Sequence, residues 1–300
     1  QKIIQGFSRL EPEDVTVLLK DVTGLVTPLG AQERERLIQG GAHYSEMLPV
    51  EYEPSAAYLH AYDDALARYG QATADAVALA AEWIWAEKGP AGALVSLARA
   101  GTPVGILLRR YLRWRYGADL PHYTISIIRG RGIDRNAMDY ILARHQRSDI
   151  QFVDGWTGKG AIQRQLNEAM ADYPGVDPSL AVLSDPACVA GKYGTRDDLL
   201  IASSCLNATI SGLLSRTFLR RDIIGERDFH GAVFYQELRD RDLTYQFIGE
   251  IEGRFRVPTA PPGGGTEPWG AGLEEVREIR RTFRVEDINL IKPSIGEATR

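Results

Sequence analysis

The sequence predicts an α/β protein with a mostly parallel sheet that helices cover on both faces. Five short apolar segments alternate with longer amphipathic ones, which is the pattern of strand–helix–strand units. The short segments are almost continuously apolar, as strands buried on both faces are. These strands are expected at residues 93–97, 123–128, 150–153, 180–183 and 199–202.

The remaining elements follow from helical periodicity and from turn residues. Apolar residues recur at helical spacing before, between and after the predicted strands. The predicted helices are 11–18, 58–69, 72–85, 104–111, 135–145, 162–173, 210–218 and 273–283. An additional strand is expected at 232–235.

Three regions are expected along the chain. Residues 1–90 form an N-terminal helical or cap segment, residues 91–257 form the α/β core, and residues 258–300 form a linker and a C-terminal extension. The boundary at 258 rests on the segment 258–270, which holds four prolines and four glycines and therefore favours a linker or surface loop.

Composition narrows the class of protein. A hydrophobic content of 44% and a charged content of 25% are typical of a globular protein. The net charge of −5 argues against a role as a nucleic-acid coat. Two cysteines are too few for a disulfide framework. No apolar run is long enough to span a bilayer, so we expect a cytoplasmic protein without a membrane partner; the oligomeric state stays open.

The most informative segment is 152–160, where a predicted strand leads into a predicted helix. Asp154 ends the strand, three glycines allow a close backbone approach, and Thr157 adds a hydroxyl donor. The free N–H groups and the dipole of the following helix favour an anion such as phosphate. A glycine-rich turn without a ligand is the simpler alternative. The candidate substrate-binding residues here are Asp154, Gly155, Trp156, Thr157, Gly158, Lys159 and Gly160.

Two further loops follow predicted strands and are expected at the same edge of the sheet. The first, after strand 93–97, contains the candidate binding residues Arg99, Ala100, Gly101 and Thr102, and a guanidinium there can clamp a diphosphate. The second, after strand 123–128, contains Arg129, Arg131 and Arg135 between glycines. Such a basic, flexible loop can close over a charged substrate, although it can equally be a solvated patch.

Together these loops resemble those of the type I phosphoribosyltransferases, which have a Rossmann-like sheet. The segment Val153-Asp154-Gly155-Trp156-Thr157-Gly158-Lys159 is similar to the loop that binds the phosphoribosyl donor PRPP, and Leu97-Ala98-Arg99-Ala100-Gly101 is similar to the diphosphate loop. The resemblance implies transfer of a phosphoribosyl group with Mg²⁺ as cofactor, Asp154 as metal ligand and ribose contact, and stabilisation of the leaving diphosphate by the arginines of the basic loop. The sequence has one acid where that family usually has two.

The chain also resembles a narrower bacterial family over nearly its whole length. The blocks HYSEM, LVSLARAGTPVG, PHYTISIIRGRGIDRNA, FVDGWTGKGAI, CLNATISGLLSRT and DFHGAVFYQEL are similar to those of the StiP family of tellurite-resistance and stress gene clusters. That family is described both as phosphoribosyltransferase-like and as cysteine protease. Its members often carry an RNA-binding domain, and residues 288–300 look like the approach to it. RNA is therefore an expected partner through a region beyond this sequence.

The protease description predicts a different site. A cysteine protease needs a thiolate and a histidine within reach. Cys205 precedes a predicted helix whose dipole would lower its pKa, and His230 is the favoured partner. A buried structural cysteine is the alternative. From the sequence we expect a PRPP- or nucleotide-binding transferase first, a Cys205–His230 peptidase second, and a non-catalytic nucleotide- or RNA-binding protein third.

Overall fold

A computed structural model describes residues 7–298, and a parallel sheet lies at its centre. The strands, in chain order, are β1 (Thr16–Val17), β2 (Lys20–Asp21), β3 (Ala93–Leu97), β4 (His122–Ile125), β5 (Ile127–Ile128), β6 (Gly132–Ile133), β7 (Ile150–Val153), β8 (Leu180–Ser184), β9 (Lys192–Thr195) and β10 (Gly231–Ala232). Six of them form the main sheet in the order β1-β4-β3-β7-β8-β9, and every neighbouring pair is parallel. The predicted parallel sheet is confirmed.

Helices cover both faces of this sheet, as expected. They are α1 (Ala31–Gln39), α2 (Ala56–Lys88), α3 (Gly101–Tyr116), α4 (Arg135–Leu142), α5 (Ala161–Met170), α6 (Thr244–Glu252), α7 (Ala271–Phe283) and α8 (Ile295–Ala298). Helices α2, α3 and α6 share one apolar core with the sheet, whereas α4 and α5 share a second core on the opposite face.

Strand β3 shows why the apolar runs carry no polar alternation. Leu94 belongs to the core under α2 and α3, while Val95 and Leu97 belong to the core under α4 and α5. All five residues of the strand are buried. Because both faces are covered, an apolar side chain is favoured at every position of the strand.

The predictions for the N-terminal part need two corrections. The expected helix at 11–18 is wrong: Thr16–Val17 is the edge strand β1, paired with β4, and Leu18 N donates to the carbonyl of Thr124 at 3.0 Å. The two helices expected at 58–69 and 72–85 are one continuous helix, α2, with Ser55 as its N-cap. Tertiary pairing overrides the local helical pattern in the first case.

The last strand of the sheet also differs from the prediction. Residues 199–202 are not a strand, and β9 at Lys192–Thr195 takes the edge position. The sequence of β9 does not indicate a buried strand, because it contains a lysine, Lys192. This lysine is buried and forms an ion pair with Glu87 at 2.7 Å. A Cβ at Gly194 would lie 2.5 Å from Ala76, so glycine is what allows α2 to approach this strand.

The region after β9 is irregular rather than helical. The helix expected at 210–218 is wrong: a short 3-10 turn at Ala208–Ile210 is followed by extended chain that pairs through Leu214 with Phe234 and through Phe218 with Gly231. A third apolar core forms beneath it. Of the strand expected at 232–235, only residue 232 lies in β10. Within residues 7–298, no helix is both long and apolar enough to cross a membrane.

Candidate functional site

A cavity of about 920 Å³ opens at the carboxyl edge of the sheet, where parallel α/β proteins bind ligands. Its wall includes residues of all three loops that the sequence singled out, among them Arg99, Arg129 and Lys159. The sequence therefore predicts correctly that these loops converge. Their chemical roles depend on the contacts of each side chain.

The loop after β7 forms one end of the cavity and leads into α5. Gly160, with a φ of 71°, is the N-cap of this helix, and Gly158 faces the cavity. A Cβ at Gly158 would lie 2.0 Å from a carboxylate oxygen of Glu297, so the backbone of this loop already lies against a carboxylate. This stretch is the glycine cradle, residues 157–160, in the paragraphs below.

Thr157 does not offer its hydroxyl to a ligand. The hydroxyl donates to Asp185 Oδ1 at 2.6 Å and accepts from Ala187 N at 3.2 Å. Asp185 is fully buried and also accepts from Arg196 and from two backbone N–H groups. Burial raises the pKa of Asp185, and the bond from Thr157 opposes that rise. Thr157 therefore fixes the loop, which corrects its expected role as a phosphate donor.

The C-terminal segment contacts the open side of the cradle. Lys159 Nζ donates to Glu297 Oε2 and to the carbonyl of Ile291, each at 3.0 Å. A Cβ at Gly296 would lie 2.6 Å from the indole nitrogen of Trp156. The loop that the sequence predicts to bind an anion is thus in contact with an anion of the same chain.

In the loop after β3, which resembles a diphosphate loop, two of the four candidate residues line the cavity and two pack against the sheet. Arg99 and Ala100 line the cavity. A Cβ at Gly101 would lie 2.6 Å from the carbonyl of Val153, and the Thr102 hydroxyl bonds Thr124 Oγ1 at 2.6 Å inside the core. These last two residues position the start of α3 against the sheet and do not line the cavity.

The basic loop contributes one of its three arginines to the cavity, Arg129. Arg131 forms an ion pair with Glu46 at 2.6 Å, and Arg135 forms an exposed ion pair with Asp172. The expectation that all three arginines face one substrate is therefore not met, because two of them have carboxylate partners on the surface.

Of the side chains at the cavity, Asp154 is the one that the sequence predicts to bind Mg²⁺. Asp154 lines the cavity, and its Oδ1 accepts from Gly155 N at 2.8 Å. Among residues 7–298 there is no group of three or more histidine, cysteine, aspartate or glutamate side chains that could hold a metal ion. A single carboxylate leaves most of the coordination of Mg²⁺ to other ligands.

Both cysteines are free and buried. Cys205 ends the 3-10 segment Ala202–Cys205, and burial raises the pKa of its thiol. The segment that follows it is a single 3-10 turn, so the helix dipole that was expected to lower this pKa is not present. Cys188 lies after β8 with a φ of 57° and is 5% exposed.

His230, the expected partner, lies on the segment that enters β10. Its Nδ1 bonds Ser126 Oγ at 2.8 Å, and its backbone N donates to Asp134 Oδ2 at 2.6 Å. Burial lowers the pKa of this imidazole to about 4. At neutral pH both the Cys205 thiol and the His230 ring are therefore uncharged in this conformation.

Sequence comparisons identify the relatives of this chain. A family model described as "Tellurite-like stress resistance cysteine protease StiP" matches residues 8–252. The chain is also 37% identical over 318 aligned residues to "Cysteine protease StiP" of Acinetobacter baylyi (strain ATCC 33305 / BD413 / ADP1), an alignment that covers 99% of this chain and 82% of the relative. The chain belongs to the StiP family. A second model, for the PELOTA RNA binding domain, matches residues 270–300.

StiP membership corrects the functional expectation. Phosphoribosyl transfer, the first expectation from the sequence, is contradicted, because the matching family and the curated relative are both named as cysteine proteases. The expectation of an enzyme, and the link to tellurite-type stress resistance, agree with the family description. The StiP match contains Arg99, Asp154, Cys205 and His230, whereas Glu297 lies in the PELOTA match.

Several residues of the site were not found from the sequence. Asp185 and Arg196 anchor Thr157, Glu297 reaches the cradle, and Arg216 lies near both Arg34 and Arg99. Each is separated from its partner by many residues along the chain. The one available signal was that Arg216 falls in a block typical of the StiP family.

Proposed function

We propose that the protein is a cysteine peptidase of the StiP type, with Cys205 as nucleophile and His230 as its base. The observation that carries this proposal is the match to the StiP family over residues 8–252, together with the relative named as a cysteine protease. In such an enzyme the sulfur attacks the peptide carbonyl, and the base carries the thiol proton to the leaving amine.

The proposed reaction requires a change from the conformation described. Cys205 is a buried thiol with a raised pKa, and the ring of His230 is bonded to Ser126. Ser203 and Leu206, which flank the cysteine, line a small recess shared with Arg99. A peptide that enters at this recess would have to displace the residues that bury the Cys205 thiol before a base can reach it. We therefore expect slow peptide hydrolysis by the enzyme in this conformation.

Cys188 offers a matched control, because it is the second buried free thiol of the chain. We would measure hydrolysis of fluorescently labelled casein by the full chain and by Cys205→Ala and Cys188→Ala. The proposal expects loss of activity in Cys205→Ala and full activity in Cys188→Ala. Circular dichroism checks that lost activity in Cys205→Ala is not lost folding. Equal activity in the wild type and in Cys205→Ala would refute the role of Cys205.

A second candidate function is the binding of a phosphorylated small molecule in the large cavity. It is favoured by the glycine cradle, where backbone N–H groups open α5 and Lys159 lies beside them. A nucleoside monophosphate or a sugar phosphate has a suitable charge, and Arg129 lines the same cavity. This proposal concerns binding alone and is independent of the peptidase reaction.

Calorimetry with adenosine 5′-monophosphate tests this candidate. Lys159→Gln removes a cation of the cradle and is expected to weaken binding about tenfold, since hydrogen bonds to charged groups contribute about 1.5–3 kcal/mol. Arg68→Gln is the control, because Arg68 is an exposed arginine of α2 that does not line the cavity. Undetectable binding by the wild type would exclude the candidate.

RNA binding by the C-terminal segment is also a proposal, supported by the PELOTA match at residues 270–300. Helix α7 carries exposed arginines that suit a phosphate backbone, namely Arg277, Arg280 and Arg281. Fluorescence anisotropy with a structured RNA, titrated at two salt concentrations, measures it. Affinity that is unchanged by the triple substitution of these arginines with glutamine would contradict it.

A further inference from the structure

Two arginine side chains from distant parts of the chain, Arg34 and Arg99, lie near Arg216, and Arg99 also lines the cavity. Arg34 comes from α1, Arg99 from the loop after β3, and Arg216 from the extended segment after the 3-10 turn Ala208–Ile210. The pKa of Arg216 is lowered by burial and then by the charges of Arg34 and Arg99. These three residues, with Tyr235, are called the arginine cluster below.

Backbone carbonyls hold two of these guanidinium groups in place. Arg216 Nη2 donates to the carbonyls of Tyr44 at 2.9 Å and Met47 at 3.1 Å. Arg99 Nη1 donates to the carbonyl of Leu214 at 3.0 Å. Neutral carbonyls orient a guanidinium without neutralising it. The cluster is therefore positioned by the fold and keeps its positive charge.

Donors of the cluster are left without partners. The Nε atoms of Arg34 and Arg216 and the hydroxyl of Tyr235 are buried, and none of them has a hydrogen-bond partner among residues 7–298. Tyr235 is 3% exposed as a residue. Burial raises the pKa of its phenol to about 12, so the hydroxyl stays protonated and able to donate at neutral pH. Buried donors without partners are rare in folded proteins.

The charges of the cluster do not balance. Glu51 lies 3.8 Å from Arg99, and its other oxygen accepts from Ala208 N at 3.0 Å. Glu237, the other acid that acts on Tyr235, is exposed, so positive charge is in excess beside the three partly buried guanidinium groups. Burying unpaired charge is costly. A phosphate dianion would neutralise this excess more fully than a carboxylate would.

We propose that Arg34, Arg99, Arg216 and the hydroxyl of Tyr235 form a binding site for a phosphate dianion, separate from the glycine cradle. Planar guanidinium groups bind phosphate oxygens through paired N–H donors, and a phenol O–H supplies a further donor. Arg99 lines both the large cavity and the small recess beside Ser203, so it is the member of the cluster that borders the cavity.

Inorganic phosphate is the probe, measured by calorimetry on the full chain. Arg34→Gln and Tyr235→Phe are each expected to weaken phosphate binding about tenfold, because each removes a donor to a charged ligand. Without phosphate, Tyr235→Phe is expected to unfold at the wild-type temperature or above, since it removes a hydroxyl that has no partner. This readout separates lost binding from lost folding.

Two further variants show which anion site binds the phosphate. Arg68→Gln, at an exposed position of α2 that does not line the cavity, is expected to bind phosphate as the wild type does, whereas Lys159→Gln removes a cation of the glycine cradle alone. Acetate at the same concentration is not expected to compete. A parallel titration with adenosine 5′-monophosphate distinguishes free phosphate from a phosphate carried by a larger molecule. Phosphate affinity that falls in Lys159→Gln but not in Arg34→Gln or Tyr235→Phe would overturn the proposal, as would a wild type that binds no phosphate.

Discussion

His122 lies in the core at the start of β4, with its ring between two other parts of the chain. Its Nε2 bonds Ser96 Oγ at 2.6 Å, and its Nδ1 bonds the carbonyl of Asp14 at 2.8 Å. Burial lowers the pKa of this imidazole to about 4. The residue therefore ties β3 and the N-terminal segment together, and its burial favours the neutral ring over the charged one.

This arrangement predicts a pH dependence of stability. In the unfolded chain His122 takes up a proton from about pH 6.5 downwards, whereas in the folded protein it remains neutral until about pH 4. The unfolded state thus binds more protons in this window, and the free energy of unfolding falls as the pH falls, by about 3 kcal/mol for this group. Urea titrations between pH 7 and pH 4 measure it.

The control uses two substitutions. His122→Gln is expected to show a shallower loss of stability between pH 6.5 and pH 4 than the wild type, whatever its stability at pH 7. His60→Gln, at an exposed position of α2, is expected to keep the wild-type slope. Identical slopes for all three proteins would show that His122 is not the titrating group.

At the level of elements, the close contact between α3 and the sheet gives a second prediction. Gly105 lies inside α3, where alanine is normally better than glycine by about 1 kcal/mol. A Cβ at this position would lie 2.1 Å from Ser96 Oγ and 2.2 Å from His122 Nε2. Gly105→Ala is therefore expected to destabilise the fold by about 1–3 kcal/mol in chemical denaturation.

Gly249 in α6 is the matched control for that substitution. It is also a helical glycine, but a Cβ there would have no atom within 4 Å outside its own helix. Gly249→Ala should therefore stabilise the protein by up to about 1 kcal/mol. If both Gly→Ala substitutions changed the free energy of unfolding in the same direction, packing against β3 and β4 would not be what requires glycine at position 105.

The elements also show what the sequence could and could not predict. Strands β3 and β7 could be predicted because mostly apolar runs beside glycine-rich loops are typical of central parallel strands. Strand β9 was missed because the partner that makes Lys192 acceptable, Glu87, lies on α2, about a hundred residues earlier. The helix expected at 210–218 fails for the same reason, since its backbone partners lie around residue 231.

In the candidate site, too, local features could be predicted and long-range contacts could not. The three loops could be located from the sequence, because parallel strands bring their carboxyl ends to one edge. Which side chains face the cavity could not be predicted. Thr157 is bonded to Asp185, and Arg131 and Arg135 pair with acids from other elements. A motif identifies the backbone of a loop but not the long-range partners of its side chains.

Glu297 gives the third prediction. Its carboxylate pairs with Lys159 at 3.0 Å and lies against Gly158, so it competes with any phosphate in the glycine cradle. Glu297→Gln is expected to tighten binding of adenosine 5′-monophosphate about fivefold, the equivalent of about 1 kcal/mol for a partly buried ion pair. Glu286→Gln, an exposed acid of the same segment, is the control. Equal affinity of both variants would contradict the competition.

For the whole molecule, the segment 258–270 separates the StiP-like part from the PELOTA-like part. It has no regular secondary structure, and most of its residues are exposed. Exposed segments of this kind are the preferred sites of proteolysis. Brief digestion with elastase is therefore expected to cut first between residues 258 and 270, as mass spectrometry of the fragments would show. A first cut within α2 or α3 would contradict this division.

Gly272 gives experimental control over the docking of the C-terminal helix. At this position α7 lies so close to the loop after β8 that a Cβ would be 2.0 Å from the carbonyl oxygen of Pro186. One added methyl group therefore acts as a steric wedge between the helix and this loop, and it would shift Leu273, Val276 and Arg277, which form part of the cavity wall. Gly272→Ala is expected to weaken the docking of α7, so that ligand exchange with a displaced helix can be compared with that of the parent without cutting the chain.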